Sequence, residues 1–406
     1  MPSRARSQPL EANILVTATF CLLAAGAVMV YSASSASTLL QGQGDGTAYL
    51  VKYVGYGAIG LLVMHLLSRR GLEYVVRFTT PFLVFCFGLL VLVKIPGIGV
   101  EVNGARRWIG AGPVQFQPSE LMKLALVLYA VKQLATKPRM VGSPRLLVPF
   151  AVVALAACAL IASQPDLGTA LVIAFTMAVL LVAAGLSMRH LVAAAGAATV
   201  LIVMFALLEP YRRARLTSFL NPWADAGGDG FQSVQGQIAL GSGGIFGRGL
   251  GESVQKVFYL PEAHTDFILA IIGEELGVVG VTAVLFLYGL IAYAGLRVAK
   301  GAQGAYGKLL AVGLTAMILC QGTLNVFTVL GLAPLTGVPL PFLSYGATNL
   351  VVLLAGVGLL LNVAQGGVAH VRAVPGSGAD APSADRRGRD RGPRGARAGG
   401  RRHAAG

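Results

Sequence analysis

The segment from Leu260 to Phe267 sets several polar residues beside an apolar stretch, and one of them, Asp266, has a side chain suited to proton transfer. A carboxylate at the edge of a low-dielectric helix bundle holds its proton more tightly than in water, because desolvation disfavours the charged form. We therefore predict that Asp266 is a general base. The structural alternative is that Asp266 stabilises a helix start through the helix dipole, with Thr265 as the capping residue.

His264 lies two residues before Asp266. Its imidazole could support the site as a metal ligand or as a hydrogen-bond partner. The alternative is an ordinary surface histidine near the start of a helix. We assign His264 a supporting role, and the identity of any bound metal stays open.

Three consecutive residues, Arg106, Arg107 and Trp108, form a second candidate group. Paired guanidinium groups match phosphate oxygens in geometry and charge, so the two arginines predict the binding of an anionic, phosphate-bearing lipid. Trp108 is typical of an interfacial anchor, and the alternative is a ring that stacks on a sugar face.

Two further carboxylates lie at the starts of apolar stretches. Glu120 and Lys123 are three residues apart and predict an ion pair on one helix face, with Ser119 as a helix cap. Lys123 could instead add a point charge to a phosphate site. Asp166 follows a proline at another turn, where capping is again the structural alternative. We assign Lys123 to substrate binding, and Glu120 and Asp166 to supporting roles.

The elements that carry these residues are apolar helices. The 406-residue chain is 55% hydrophobic and only 12% charged, which excludes an ordinary soluble protein. Its apolar runs reach the roughly 20 residues that a helix needs to cross a bilayer. We predict an all-α, polytopic membrane protein with about ten transmembrane helices. These lie near residues 12–33, 48–67, 74–94, 119–135, 146–163, 167–185, 190–208, 266–296, 309–330 and 345–364.

The basic residues predict the orientation. Most of the 32 lysines and arginines fall in both termini and the even-numbered loops, which places both termini in the cytoplasm. Residues 1–11 are then a cytoplasmic N-terminus, and 12–365 a membrane domain. A large outer loop, 209–265, joins helices 7 and 8. Residues 366–406 are predicted to be a disordered basic tail that is attracted to anionic lipid head groups. The net charge of +15 therefore does not predict a nucleic-acid partner.

Two parts of the large outer loop carry local signals. The stretch from Phe231 to Leu240 is moderately apolar and predicts a short interfacial helix. The following stretch, Gly241 to Gly251, contains many glycines but lacks the ending of a phosphate-binding loop. We predict that it is a flexible hinge.

Five sequence blocks in the same order make residues 12–365 resemble the SEDS family of bacterial membrane proteins (shape, elongation, division and sporulation). The blocks are Asn103 to Trp108, Gln117 to Glu120 with Lys123, Gln164 to Thr169, Leu260 to Phe267 with Gly273 to Gly277, and Pro339 to Gly346. The fourth of these blocks resembles the division branch of the family more than the elongation branch.

The resemblance implies a peptidoglycan glycosyltransferase of the bacterial plasma membrane that polymerises lipid II and, in this branch of the family, acts at the division septum. It implies an essential aspartate at Asp266 and important positions at Trp108, Lys123 and Asp166. A class B penicillin-binding protein and other divisome membrane proteins are the implied partners. A divalent cation is a possible cofactor. The alternatives are a lipid II flippase, or a non-catalytic scaffold for the penicillin-binding protein.

Overall fold

The structure is a computed structural model. It describes residues 9–40, 42, 46–102, 104–111, 114–193, 195–196, 218–228, 230–257, 260 and 263–369. Several predicted features therefore lie outside the described residues. They are the first eight residues, most of the seventh predicted span, the beginning of the large loop, and the basic tail from residue 370 onwards.

The described chain is mainly helical, and we number its helices in chain order. They are α1 (Leu10–Leu40), α2 (Thr47–Arg69), α3 (Leu72–Leu92), α4 (Pro118–Thr136), α5 (Pro144–Ala162), α6 (Leu167–Ala183), α7 (Phe231–Ser242), α8 (Ile268–Gly301), α9 (Gly304–Val329) and α10 (Ala347–Ala364). Short 3-10 helices cover Pro138–Gly142 and Pro222–Asp225.

Every predicted span except the seventh coincides with one of these helices. Among the described residues, seven helices are long and apolar enough to cross a membrane, namely α1, α2, α3, α5, α8, α9 and α10. Helix α6 is apolar but shorter, and α4 carries several charged residues. The polytopic helical fold is confirmed, and the count of ten stays a prediction.

The bundle has a central layer formed by α4, α9 and α10. These helices bury most of their residues, because α4 and α10 both pack on α9 and α10 also packs along α2. Side-chain hydrogen bonds bring the starts of α4, α6 and α10 together with the last turns of α9 at one end of the bundle. We call this the site end. It corresponds to the predicted outer end.

A small antiparallel sheet at the site end was not predicted. Its strands are β1 (Gly99–Val102), β2 (Ala105–Ala111) and β3 (Val114–Phe116), in the order β1-β2-β3. Glu101 pairs with Arg106, and Val100 pairs with Trp108. The strands are short and lack a clean polar-apolar alternation, which is why the sequence pattern did not reveal them.

The predicted loop helix is present as α7. It packs against the start of α8, where Gly236 lies so close to the Phe267 ring that an added Cβ would be 2.6 Å from it. The glycine-rich stretch that follows is also anchored, because residues 244–249 form backbone hydrogen bonds with α8. The hinge prediction is therefore wrong for these residues.

Candidate active site at one end of the bundle

Asp266 lies two residues before the start of α8 and is partly exposed. Its backbone carbonyl accepts a hydrogen bond from Asn325 Nδ2 at 2.7 Å, and Thr265 Oγ1 donates to its carboxylate at 3.1 Å. Gly337 approaches from the last loop, where an added Cβ would lie 3.9 Å from Asp266 Oδ2. The backbone is thus fixed by α9, while the carboxylate stays within reach of the surface.

The geometry does not support the alternative in which Thr265 caps α8 and Asp266 stabilises its first turn. Helix α8 begins at Ile268 after the N-cap residue Phe267, which makes no side-chain cap, and its first turn contains no acidic residue. Asp266 therefore precedes the first turn, and the N-cap position belongs to Phe267, not to Thr265. The predicted cap at Thr265 and the predicted place of Asp266 in the first turn are both wrong.

His264 belongs to a cluster of three aromatic rings. Its ring centroid lies 4.7 Å from that of Tyr49 and 5.8 Å from that of Tyr345, and its carbonyl accepts a hydrogen bond from the Tyr345 backbone N–H. Burial, followed by the influence of Tyr56 and Tyr49, raises the pKa of Tyr345 to about 12. The Tyr345 hydroxyl is therefore neutral over the physiological pH range. Through its ring contacts and its carbonyl, His264 joins the large loop to the last loop.

Glu120 and Lys123 form the predicted ion pair, at 2.8 Å between Oε2 and Nζ. Both side chains are almost fully buried, at 3% and 1% exposed. Lys123 Nζ also donates to Gln321 Oε1 at 2.6 Å, and Asn349 Nδ2 donates to Glu120 at 2.6 Å and to Gln321 at 3.2 Å. The prediction that Lys123 adds a positive charge to a phosphate-binding site does not fit this arrangement, because a buried carboxylate already neutralises that charge.

Asp166 caps α6, as the structural alternative proposed. One carboxylate oxygen accepts from the Thr169 backbone N–H at 3.1 Å. The other accepts from Ser119 Oγ and Gln117 Nε2, both at 2.9 Å. Ser119 is therefore not the cap of α4, whose N-cap is Gln117. Asp166 ties the start of α6 to the start of α4.

The two arginines do not act as a pair. They are consecutive on strand β2 but bind different partners. Arg106 is exposed and bonds Glu101 on the neighbouring strand at 3.1 Å. Arg107 donates to the carbonyls of Gln164 and Pro165 at 2.9 and 2.6 Å. A bulge in the pairing with β1 places Trp108 on the face opposite to Arg106, and Trp108 is partly exposed.

Three functional side chains were missed by the sequence reasoning. Gln321 and Asn325 are one turn apart on α9, where they bind Lys123 and the carbonyl of Asp266, and Asn349 lies in the first turn of α10. All three are amides buried inside otherwise apolar spans. That placement was the available signal, since polar residues at membrane depth are costly and often functional.

The structure thus gathers the predicted residues into two connected groups. Asp266 and His264 lie beside the last loop, whereas Glu120, Lys123, Asp166 and Arg107 hold the starts of α4 and α6. Helix α9 joins the groups through Asn325 and Gln321. Within the part of the chain that the structure describes, no three His, Cys, Asp or Glu side chains are arranged to hold a metal ion. We therefore derive no step through a divalent cation.

Comparison with known proteins gives one family. Residues 13–367 match the profile of the family FTSW_RODA_SPOVE, described as "Cell cycle protein". A stage V sporulation protein E from Bacillus subtilis (strain 168) is 42% identical over 353 residues, covering 87% of this chain and 96% of that protein. A probable peptidoglycan glycosyltransferase FtsW from Geobacter sulfurreducens is 39% identical over 351 residues, covering 86% and 94%.

Solved structures agree with the sequence matches. A chain from "Structural coordination of polymerization and crosslinking by a peptidoglycan synthase complex" superposes with a TM-score of 0.72 at 34% identity, covering 86% of this chain and 96% of that chain. The rod shape determining protein RodA of Thermus thermophilus gives a TM-score of 0.64 at 30% identity, covering 86% and 95%. All the candidate site residues lie inside the range matched by the family profile.

Proposed function

Because the chain belongs to the FtsW/RodA/SpoVE family of cell cycle proteins, we propose that it is a peptidoglycan glycosyltransferase that polymerises lipid II into glycan strands. The observation that carries this proposal is the placement of Asp266. Asp266 is partly exposed ahead of α8, and its backbone is fixed by Asn325. A fixed carboxylate at a partly dry surface suits a general base.

In the proposed reaction, Asp266 accepts the proton of the 4-hydroxyl group of one disaccharide. The oxygen then attacks the anomeric carbon of the sugar on a second lipid-linked chain. The new carbon–oxygen bond forms as the bond to pyrophosphate breaks, and the electron pair leaves with undecaprenyl pyrophosphate. Attack from the opposite side inverts the anomeric configuration. Pyrophosphate is already a good leaving group, so the reaction does not need a second carboxylic acid.

The cations take different roles in this proposal. Arg106 is exposed and offers a charge for the diphosphate, and Trp108, partly exposed on the same small sheet, offers a ring for a sugar. Arg107 instead fixes the turn ahead of Asp166 through two carbonyls. The buried pair of Glu120 and Lys123 supports the site by holding α4, α9 and α10 together.

The cellular setting is also part of the proposal. We propose that the chain works at the division septum, with both termini in the cytoplasm and the site end facing outwards. A class B penicillin-binding protein would crosslink the strands that it makes. The similarity to a chain of a peptidoglycan synthase complex supports such a partnership. The positive-inside pattern of the loops supports the orientation.

The distribution of buried charge favours an enzyme over a flippase. A pathway across the membrane would need ionisable residues along the depth of the bundle. Among the described residues, the fully buried charged side chains instead lie in the loop or in the helix turns towards the site end. They are Glu120, Lys123, Asp166, Lys256, Glu274 and Glu275.

The test is polymerisation of labelled lipid II by the purified protein in detergent, with and without its penicillin-binding partner. We expect glycan polymer from the wild-type protein and its loss in Asp266→Ala, by about 100- to 10,000-fold if the base is removed. Glu252→Gln, an exposed carboxylate on the same loop, is the control and should keep full activity. Unchanged polymer in Asp266→Ala rejects the proposed base, and translocation in liposomes without polymer favours the flippase.

A further inference from the structure

Helix α8 is broken close to its start. Gly277 adopts φ 66° and ψ −161°, so the helix consists of a short first segment, Ile268 to Leu276, and a long second segment. Nearly all of the first segment is buried in protein. Asp266 precedes this segment at one end, and Glu274 and Glu275 lie at the other. The position of Asp266 therefore depends on how both ends of the short segment are held.

Backbone hydrogen bonds from the glycine-rich stretch close the break. The amides of Arg248 and Gly249 donate to the carbonyls of Glu274 and Glu275, both at 3.0 Å. In the other direction, the amides of residues 278 and 279 donate to the carbonyls of residues 244 and 245, at 3.0 and 3.1 Å. A Cβ at Gly247 would lie 2.1 Å from the Glu275 carbonyl, so only glycine permits this approach.

The Glu274 side chain binds the next part of the loop. It is fully buried, and its carboxylate accepts hydrogen bonds from Ser253 Oγ at 2.5 Å and from the backbone amides of Val254 and Gln255 at 3.1 and 3.3 Å. Arg248 adds a charge at 3.5 Å. These bonds satisfy the carboxylate entirely from the loop, so they attach residues 248–255 to the end of the short segment.

The Glu275 side chain makes a different set of contacts. It pairs with Lys256 Nζ at 2.9 Å and accepts from Ser32 Oγ at 2.7 Å, and both charged side chains are at most 4% exposed. Lys256 also donates to Ser32 Oγ at 3.2 Å and to the Gly251 carbonyl at 2.7 Å. Since Ser32 lies on α1, the pair joins three separate parts of the chain: α1, the large loop and α8.

We propose that Lys256 and Glu275 are positioning residues for Asp266. Asp266 lies roughly 13 Å from Glu275 along the short segment, at 1.5 Å per residue. Asn325 fixes the Asp266 end of this segment, and the Lys256–Glu275 pair fixes the other end. A displacement of about 1 Å at a reacting group lowers turnover by roughly 100-fold. The inference rests on the proposed function, because it takes Asp266 as the base.

The experiment compares five variants of the full-length protein, assayed with its partner and labelled lipid II. Lys256→Met and Glu275→Gln each break the pair, and the double variant removes both charges. Lys256→Arg keeps the charge as the conservative replacement, and Glu252→Gln is the exposed control on the same loop. Turnover, KM, the thermal unfolding midpoint and amide hydrogen exchange of residues 263–276 are measured for each.

If the pair positions Asp266, the thermal unfolding midpoint and kcat should respond differently to the variants. Lys256→Met and Glu275→Gln should each lose about 10- to 100-fold in kcat with little change in KM. The double variant should recover its unfolding midpoint, because it leaves no uncompensated buried charge, but its kcat should stay low. Lys256→Arg should restore most of the turnover. Recovery of kcat together with stability in the double variant would show a purely structural pair and overturn the proposal.

Hydrogen exchange separates this inference from the proposed function. Faster exchange of residues 263–268 in Lys256→Met, but not in Glu252→Gln, shows that the pair controls the Asp266 segment whether or not polymer forms. Unchanged exchange there overturns the positioning role even if the wild-type protein is active. A wild-type protein that makes no polymer with its partner rejects the proposed function and leaves the exchange result to decide the effect of the pair.

Discussion

Two buried lysine–glutamate pairs in this protein differ in how far apart their members lie in the sequence. Glu120 and Lys123 are three residues apart on α4, and amides from α9 and α10 complete their bonds. Lys256 and Glu275 are 19 residues apart and join the large loop to α8. The first pair therefore fixes helices that are already adjacent, whereas the second fixes a loop. Two ion pairs of the same chemistry and similar length can thus differ in what they hold: neighbouring helices in one case, and a distant loop in the other.

The largest effect should come from breaking the local pair. Lys123→Met leaves the Glu120 carboxylate buried without its cation, and we expect a loss of about 3 to 5 kcal/mol in the free energy of unfolding. Equilibrium unfolding in mixed detergent micelles measures this loss. Lys132→Met, which removes a partly exposed lysine from the same helix, is the matched control and should cost far less. Equal losses in the two variants would contradict the importance of the buried pair.

A smaller effect should follow from disturbing the backbone beside the long-range pair. Gly247→Ala adds a Cβ 2.1 Å from the Glu275 carbonyl at a φ of 81°. We expect a loss of about 2 to 4 kcal/mol from the overlap and the left-handed backbone together. Gly241→Ala meets nothing within 4 Å and should be neutral in the same unfolding measurement. The close approach would be disproved if both alanine variants unfolded alike.

The amide that completes the local pair should contribute less than its lysine. Asn349→Ala removes the 2.6 Å hydrogen bond to Glu120 but leaves Lys123 in place. A hydrogen bond to a charged group contributes about 1.5 to 3 kcal/mol, and we expect a loss of that size in the free energy of unfolding. Unfolding of Asn349→Ala beside Lys123→Met ranks the two contributions. A larger loss in Asn349→Ala would reverse our account of the pair.

The smallest effect should come from an exposed pair. Glu101→Gln removes the partner of Arg106, and both side chains are about half exposed. Exposed ion pairs contribute about 0 to 1 kcal/mol, so we expect almost no change in the free energy of unfolding at physiological salt. Repeating the measurement at high salt should leave the small difference smaller still. A loss comparable to that of Lys123→Met would remove the distinction between buried and exposed pairs.

Much of the fold could be predicted because helix-length apolar runs are a strong local signal. The charged residues of the site could also be found, since Asp266, Glu120 and Asp166 stand at the edges of such runs. The separate partners of Arg106 and Arg107 could not be found, because they depend on a strand that hydropathy does not reveal. Two side chains that look paired in the sequence bind different parts of the chain.

The contacts of the large loop were hidden for a different reason. The contact between Lys256 and Glu275 depends on the break of α8 at Gly277 and on the loop that packs against it. No local pattern specifies which buried carboxylate meets which lysine. The same holds for Asn325, whose amide binds the carbonyls of residues 266 and 338 from another helix. Sequence reasoning located the groups, and tertiary packing decided their partners.

The break at Gly277 also bears on how this protein matches its lipid. The segment from Val278 to Gly301 is roughly 36 Å long at 1.5 Å per residue, close to the hydrocarbon thickness of about 30 Å. Only this second segment needs to match the bilayer, because the first is enclosed by protein. A mismatch between this segment and the bilayer thickness would therefore act on the junction beside Glu275. Reconstitution in vesicles of lipids with shorter or longer acyl chains would strain that junction without changing a residue.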